Sequence, residues 1–294
     1  MKAKAARALC LLNAGLLLSG SPAVANKPTS KSESFQSTLN VSKELNADQK
    51  LQIQLAEKDL HDFERQHGAT NIDYSVQLAN LANVYLRNNQ MIQAEKTLER
   101  SLAAARKLRN PDLVIPDIMS NWAFSMALKD KAKAKEAMDR GMASANNLPF
   151  GSGNRLGFLF NRIQLYKQIG ENIEADKQIA DVDDQLRALE QAKGLDDSII
   201  ASVAYMLRQM SGLYCLPSNR NTGDFKKAEA YQIRAIAQYD KLPKDRRLLA
   251  HAQLQEWYQN FGMKQKSEQQ ENIIKSLNDG KPFIKRICHG CGMG

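Results

Sequence analysis

The chain has 294 residues and a formal net charge of +9, and 43% of its residues are hydrophobic while 25% are charged. This apolar content is enough for a sizeable core and argues against a disordered polyelectrolyte. Aromatic residues make up only 6%, which favours helices over strands and argues against an all-β fold. A mean hydropathy of −0.49 argues against a membrane-spanning bundle. We therefore predict an all-α protein.

Residues 1–25 have the layout of a secretory signal peptide. Basic side chains precede an apolar stretch over residues 8–18, and the segment ends in Ala23, Val24 and Ala25, small residues of the kind that signal peptidase requires. We predict cleavage after Ala25 and a secreted, periplasmic or cell-envelope location. An uncleaved anchor is the alternative, although the apolar stretch is about half as long as a membrane span.

The positive charge of the remaining chain is modest and dispersed. Residues 1–25 contain three basic and no acidic side chains, and no run of five like charges follows them. Basic and aromatic residues do not alternate in a recurring pattern either. The sequence therefore does not predict a nucleic-acid partner.

A repeat organises most of the chain. Residues 26–46 are rich in Ser, Lys, Thr and Asn, which predicts a disordered leader. Over residues 47–278, amphipathic segments recur in pairs. Their small landmark residues follow at intervals of 38, 40, 41, 53 and 39 positions, in the order Ala56, Ala94, Ala134, Ala175, Ala228 and Ser267. The period is close to 40, apart from one insertion that includes residues 217–222, and it predicts stacked helical hairpins.

The clearest hairpin spans residues 73–108. Its first helix reads DYSVQLANLANVY over residues 73–85, and its second reads AEKTLERSL over residues 94–102. These segments resemble the tetratricopeptide repeat (TPR), most closely the longer repeats of kinesin light chain. The resemblance covers residues 47–278 and implies a right-handed α-solenoid of about five TPR-like hairpins, preceded by a capping helix.

The resemblance also implies a concave groove lined by the first helix of each hairpin. The residues expected to line it lie one helical step from the packing positions, and they are Asn83, Arg87, Ser120, Phe124, Phe160, Gln164, Lys167, Tyr205, Arg208 and Glu256. Their amide, guanidinium and aromatic groups suit a peptide held through its main chain and through stacking. We therefore expect an exported scaffold that binds a protein or peptide partner, without catalysis and without a cofactor.

The sequence offers little that indicates catalysis. It contains no phosphate loop, no His-Glu-x-x-His and no Gly-x-Ser-x-Gly, so we do not predict an enzyme. His61 and His67 are six positions apart, which turns them roughly 120° apart on a helix, so we expect two solvated side chains. An acidic cluster is interpreted as a solvated helix face, and it consists of Asp181, Asp183 and Asp184.

Residues 279–294 form a basic tail that contains Cys288, His289 and Cys291. The two thiols could form a local or an intermolecular disulfide, supply part of a tetrahedral zinc site or remain exposed. An alternative function is therefore that of a thiol or metal-binding protein that acts through this tail, with the solenoid presenting the tail to a redox partner, an ion or a surface. Cys215 is predicted to be a buried packing residue.

Overall fold

The structure, a computed structural model, describes residues 45–215 and 223–281, and it contains no strand in these ranges. The predicted all-α class is confirmed. Eleven α-helices follow one another in the described ranges: α1 Ala47–His67, α2 Ile72–Arg87, α3 Met91–Arg106, α4 Ile115–Met126, α5 Lys131–Ala145, α6 Gly153–Gln168, α7 Asn172–Gln191, α8 Asp197–Tyr214, α9 Phe225–Tyr239, α10 Lys244–Asn260 and α11 Lys264–Leu277. The predicted signal peptide, most of the leader, the insertion at 217–222 and the cysteine-containing part of the tail lie outside the described residues.

The helices pack in consecutive pairs, which makes five hairpins. The pairs are α2 with α3, α4 with α5, α6 with α7, α8 with α9 and α10 with α11, and α1 packs against α2. Short turns reverse the chain inside three of the hairpins, where Asn89, Gly170 and Gly262 adopt positive φ angles of 60°, 83° and 72°. Glycine and asparagine tolerate this conformation better than other residues, so the local sequence specifies the reversals.

Alanines at repeating positions allow the helices to approach closely. They are completely buried at seven of the positions that the repeat pattern indicates: Ala82, Ala94, Ala123, Ala134, Ala175, Ala204 and Ala228. One core cluster runs from α2 to α7, and a second runs from α6 to α9. Because each hairpin completes its core only against its neighbours, the hairpins form one stacked array.

The first helices of the hairpins form the inner row of this stack. Helix α2 contacts α4, α4 contacts α6, and α6 contacts α8. The second helices α3, α5, α7 and α9 have at most slight backbone contact with one another. Helices that lie closer together mark the inner side of a curved array. Helix α10 departs from this pattern. Its main contact with the preceding hairpin is with the second helix, α9, and its contact with the first helix, α8, is slight at most.

Long charged side chains bridge the wider gaps between the second helices. The ion pairs join α3 to α5, α7 to α9 and α9 to α11, and they are Glu95 with Lys133, Glu99 with Arg140, Glu190 with Arg234 and Glu229 with Lys266. The partners are 38, 41, 44 and 37 positions apart, close to the repeat period.

Within residues 45–215 and 223–281, no helix combines the length and hydropathy needed to span a bilayer.

Candidate peptide-binding face

Three asparagines occupy one equivalent position on consecutive first helices. Asn80 of α2, Asn121 of α4 and Asn161 of α6 are 41 and 40 positions apart, and each is at least partly exposed. The residue two positions before each of them is a buried core residue, which turns the asparagine about 200° away, to the side opposite the core. No side chain of these three asparagines hydrogen-bonds to another described residue. We call these three residues the asparagine row.

A second row lies one helical turn further along α2, α4 and α6 and continues onto α8. It consists of Asn83, Phe124, Gln164 and Tyr205, and all four side chains retain some exposure. The Oδ1 atom of Asn83 is buried and accepts no hydrogen bond from the described residues. A buried acceptor without a donor is costly. We call the two rows together the inner face.

Most of the predicted groove residues are accessible, but several are already engaged. Arg208 donates a hydrogen bond to Gln253 of α10. The Nζ atom of Lys167 lies 3.8 Å from the Oδ1 atom of Asp176 of α7. Arg87 is exposed at the end of α2. Glu256 is exposed on α10, which lies outside the row formed by α2, α4, α6 and α8.

Two predicted groove residues are buried instead. Ser120 is 0% exposed, and Phe160 is 9% exposed and belongs to a core cluster. Both occupy the helical position of the buried Ala79 in α2, one residue before the asparagine of their own helix. They therefore face the packed interior rather than a groove. The asparagines that follow them, Asn121 and Asn161, recur at the repeat period, and this recurrence indicates the exposed position. The prediction chose the residue one position earlier on α4 and α6.

A carboxylate that lacks an ion pair lies close to the asparagine row. Asp117 is one turn before Asn121 on α4, it is only partly exposed, and no basic group of the described residues pairs with it. Burial raises the pKa of Asp117 to about 6. An ionised carboxylate in such a position is poorly solvated, so it gains more from a cationic or N–H partner than a surface carboxylate does.

The other predicted features have different outcomes. Cys215 is a buried free thiol, as predicted, and burial raises its pKa, which makes it a weak nucleophile. His61 and His67 are both exposed, also as predicted. The solvated acidic face is wrong for Asp183, whose carboxylate is only 17% exposed and pairs with Arg187 and Arg234.

The described part of the chain contains no group of three potential metal-ligating residues. The predicted thiol or metal site at Cys288, His289 and Cys291 lies outside the described residues. The candidate site among the described residues is therefore the inner face.

Comparisons with known proteins give little further information. No family model matches the chain. No curated protein matches it either. Among solved structures, the chain is similar to the crystal structure of BtubC (BKLC) from P. vanneervenii, with 18% sequence identity over 82% of this chain and 96% of that chain and a TM-score of 0.43.

Proposed function

We propose that this chain is an exported scaffold protein that binds an extended segment of a partner protein along the inner face and performs no chemistry itself. The observation that carries the proposal is the asparagine row, three amides without partners in the described residues at one repeating position. Each side-chain amide offers both a donor and an acceptor, which is the combination that a peptide main chain presents.

The spacing of the helices fits an extended peptide. Packed helices lie about 8–10 Å apart, and an extended chain advances about 3.3–3.6 Å per residue. An extended segment that runs across α2, α4 and α6 therefore presents a main-chain group to an asparagine at about every third residue. Phe124 and Tyr205 of the second row would contact the intervening side chains, and these contacts would supply sequence preference.

Export is the second part of the proposal. Its support is the sequence of residues 1–25, with basic residues, an apolar stretch and a small-residue ending. A partner met after export would be a protein or peptide of the envelope or of the exterior.

The test begins with selection of peptides from a random phage-displayed library on the immobilised chain. The affinity of each recovered peptide is then measured by fluorescence anisotropy for wild type and for the triple variant Asn80→Ala, Asn121→Ala, Asn161→Ala. We expect roughly tenfold weaker binding for each asparagine removed, and about a thousandfold for the triple variant.

A matched control replaces three exposed asparagines outside the inner face, with Asn110→Ala, Asn147→Ala and Asn172→Ala. We expect this control to bind the selected peptides as wild type does. Equal affinity for the wild type and the asparagine-row variant would contradict the proposed binding face.

A further inference from the structure

Three apolar side chains stand out from the surface of the described residues. Ile173 is 90% exposed, Leu128 is 88% exposed and Ile92 is 77% exposed, which makes them the most exposed large hydrophobic residues there. All three lie where a first helix turns into its second helix. Leu128 is in the turn between α4 and α5, and Ile92 and Ile173 are the second residues of α3 and α7.

Contacts between the turns place these residues along one edge. Lys129 Nζ donates to Asn89 Oδ1 at 2.5 Å, which joins the second turn to the first. Lys131 Nζ donates to the carbonyl oxygen of Ile169 at 2.6 Å, which joins the second turn to the third. The three turns are therefore neighbours, and we call Ile92, Leu128 and Ile173 with Lys129 and Lys131 the turn edge.

The turn edge combines one exposed apolar side chain on each of its three turns with two lysines on the central turn. Lys129 and Lys131 follow Leu128, and both donate to uncharged oxygens. Asp130, which lies between the two lysines, caps the start of α5 through its side chain. Neither lysine forms an ion pair with a carboxylate of the described residues, so the two lysines still leave a net positive charge on this turn after Asp130 is counted. The whole chain has the same sign, with a formal net charge of +9.

We propose that the turn edge docks on the surface of an anionic lipid bilayer. In this arrangement Ile92, Leu128 and Ile173 enter the headgroup and acyl boundary, and Lys129 and Lys131 lie among the acidic headgroups. The shape favours lipid over a protein partner, because the apolar side chains project singly from three turns with polar residues between them. The core of a protein interface is a continuous, closely packed patch. This surface is distinct from the inner face, so the inference goes beyond the proposed function.

The test is sedimentation of the full chain with vesicles of phosphatidylcholine alone and of phosphatidylcholine containing phosphatidylglycerol. The turn-edge variant carries Ile92→Ser, Leu128→Ser and Ile173→Ser. Its matched control carries Leu51→Ser, Leu55→Ser and Ile233→Ser, which are roughly half exposed elsewhere on the surface. Both variants lose three exposed apolar side chains and keep both chain termini, so any binding by the termini is common to the two.

We expect wild type and control to bind the anionic vesicles equally. The turn-edge variant should bind about tenfold more weakly for each side chain replaced, and its bound fraction should fall to background. A second variant, Lys129→Gln with Lys131→Gln, should lose about fivefold for each lysine on anionic vesicles and nothing on neutral ones. Circular dichroism should show the same helix content for every variant.

Three results would overturn the proposal. The first is a wild-type chain that does not bind the anionic vesicles. The second is a turn-edge variant that binds as well as its control does. The third comes from light scattering without vesicles: if wild type dimerises and only the turn-edge variant is monomeric, the edge is a contact between two copies of this chain.

Discussion

Arg234 of α9 donates to Glu190 of α7 at 2.7 Å and also pairs with Asp183, one repeat earlier in the chain. The side chains of this group are only 17–18% exposed. The guanidinium also lies over the ring of Tyr231, 5.1 Å from its centroid. The group therefore joins the third and fourth hairpins where the second helices have little backbone contact.

Removal of Arg234 should weaken this junction. We expect Arg234→Met to lower the free energy of unfolding by about 2 kcal/mol, because Glu190 loses its counter-ion and Asp183 keeps only its pair with Arg187. This value lies between those typical of exposed pairs and of fully buried pairs. The comparison is Arg140→Met, whose pair with Glu99 is 39% and 54% exposed, and which should cost less than about 1 kcal/mol. Urea unfolding of both variants measures the difference, and equal losses would contradict this account.

The same junction should respond to pH. Burial by itself would raise the pKa of Asp183, but the hydrogen bond and charge of Arg234 outweigh it and hold the pKa below its usual value. A lowered carboxylate pKa stabilises the fold above the unfolded pKa of about 4, and this contribution disappears as the pH falls through the folded value. The stability gap between wild type and Arg234→Met should therefore be largest near pH 7 and shrink below pH 4. A gap that stays constant with pH would contradict the assignment.

Asp117 should have the opposite effect. Its pKa, raised to about 6 by burial, means that the ionised carboxylate lowers stability above pH 6 and that protonation removes the cost as the pH falls towards 4. We expect Asp117→Asn to raise the free energy of unfolding by about 2 kcal/mol at pH 7 and to have little effect below pH 4. Thermal unfolding of wild type and Asp117→Asn between pH 4 and pH 7 measures this difference in stability. Destabilisation by Asp117→Asn at pH 7 would show that the carboxylate has a stabilising partner.

Two glycines in helices should respond in opposite ways to alanine. A Cβ atom at Gly141 of α5 would lie 2.6 Å from the ring of Phe158 and 3.0 Å from Met119, whereas at Gly157 of α6 it would meet no atom within 4 Å. We expect Gly141→Ala to destabilise the chain by about 1–3 kcal/mol through overpacking. Gly157→Ala should stabilise it by up to about 1 kcal/mol through helix propensity. Chemical unfolding of both variants measures the two signs, and effects of the same sign would contradict the packing around Gly141.

The hairpins could be predicted from the sequence because small residues recur at the repeat period. Ala94, Ala134, Ala175 and Ala228 are buried at the positions expected for close helix packing. The sixth landmark, Ser267, is also buried, although serine interrupts the apolar pattern. Its helix pair α10 and α11 forms a hairpin whose first helix packs against α9, which the period alone does not indicate.

The candidate site could be predicted only in part. The direction of a side chain changes by about 100° per residue, so an error of one position moved the prediction from Asn121 to the buried Ser120 and from Asn161 to the buried Phe160. The turn edge could not be predicted, because the exposure of Leu128 depends on how three turns from different hairpins pack together.

The measurement that tests the central claim most directly is capture of the native partner from envelope extract and culture medium. The immobilised baits are the full chain, the asparagine-row variant and a chain cut at Gly280, beyond the last helix. We predict that the cut chain retains the partner and that the asparagine-row variant loses it. A partner that the asparagine-row variant retains would contradict the claim. A partner that is lost with the tail or on addition of reductant would contradict it too and would place the function at Cys288 and Cys291.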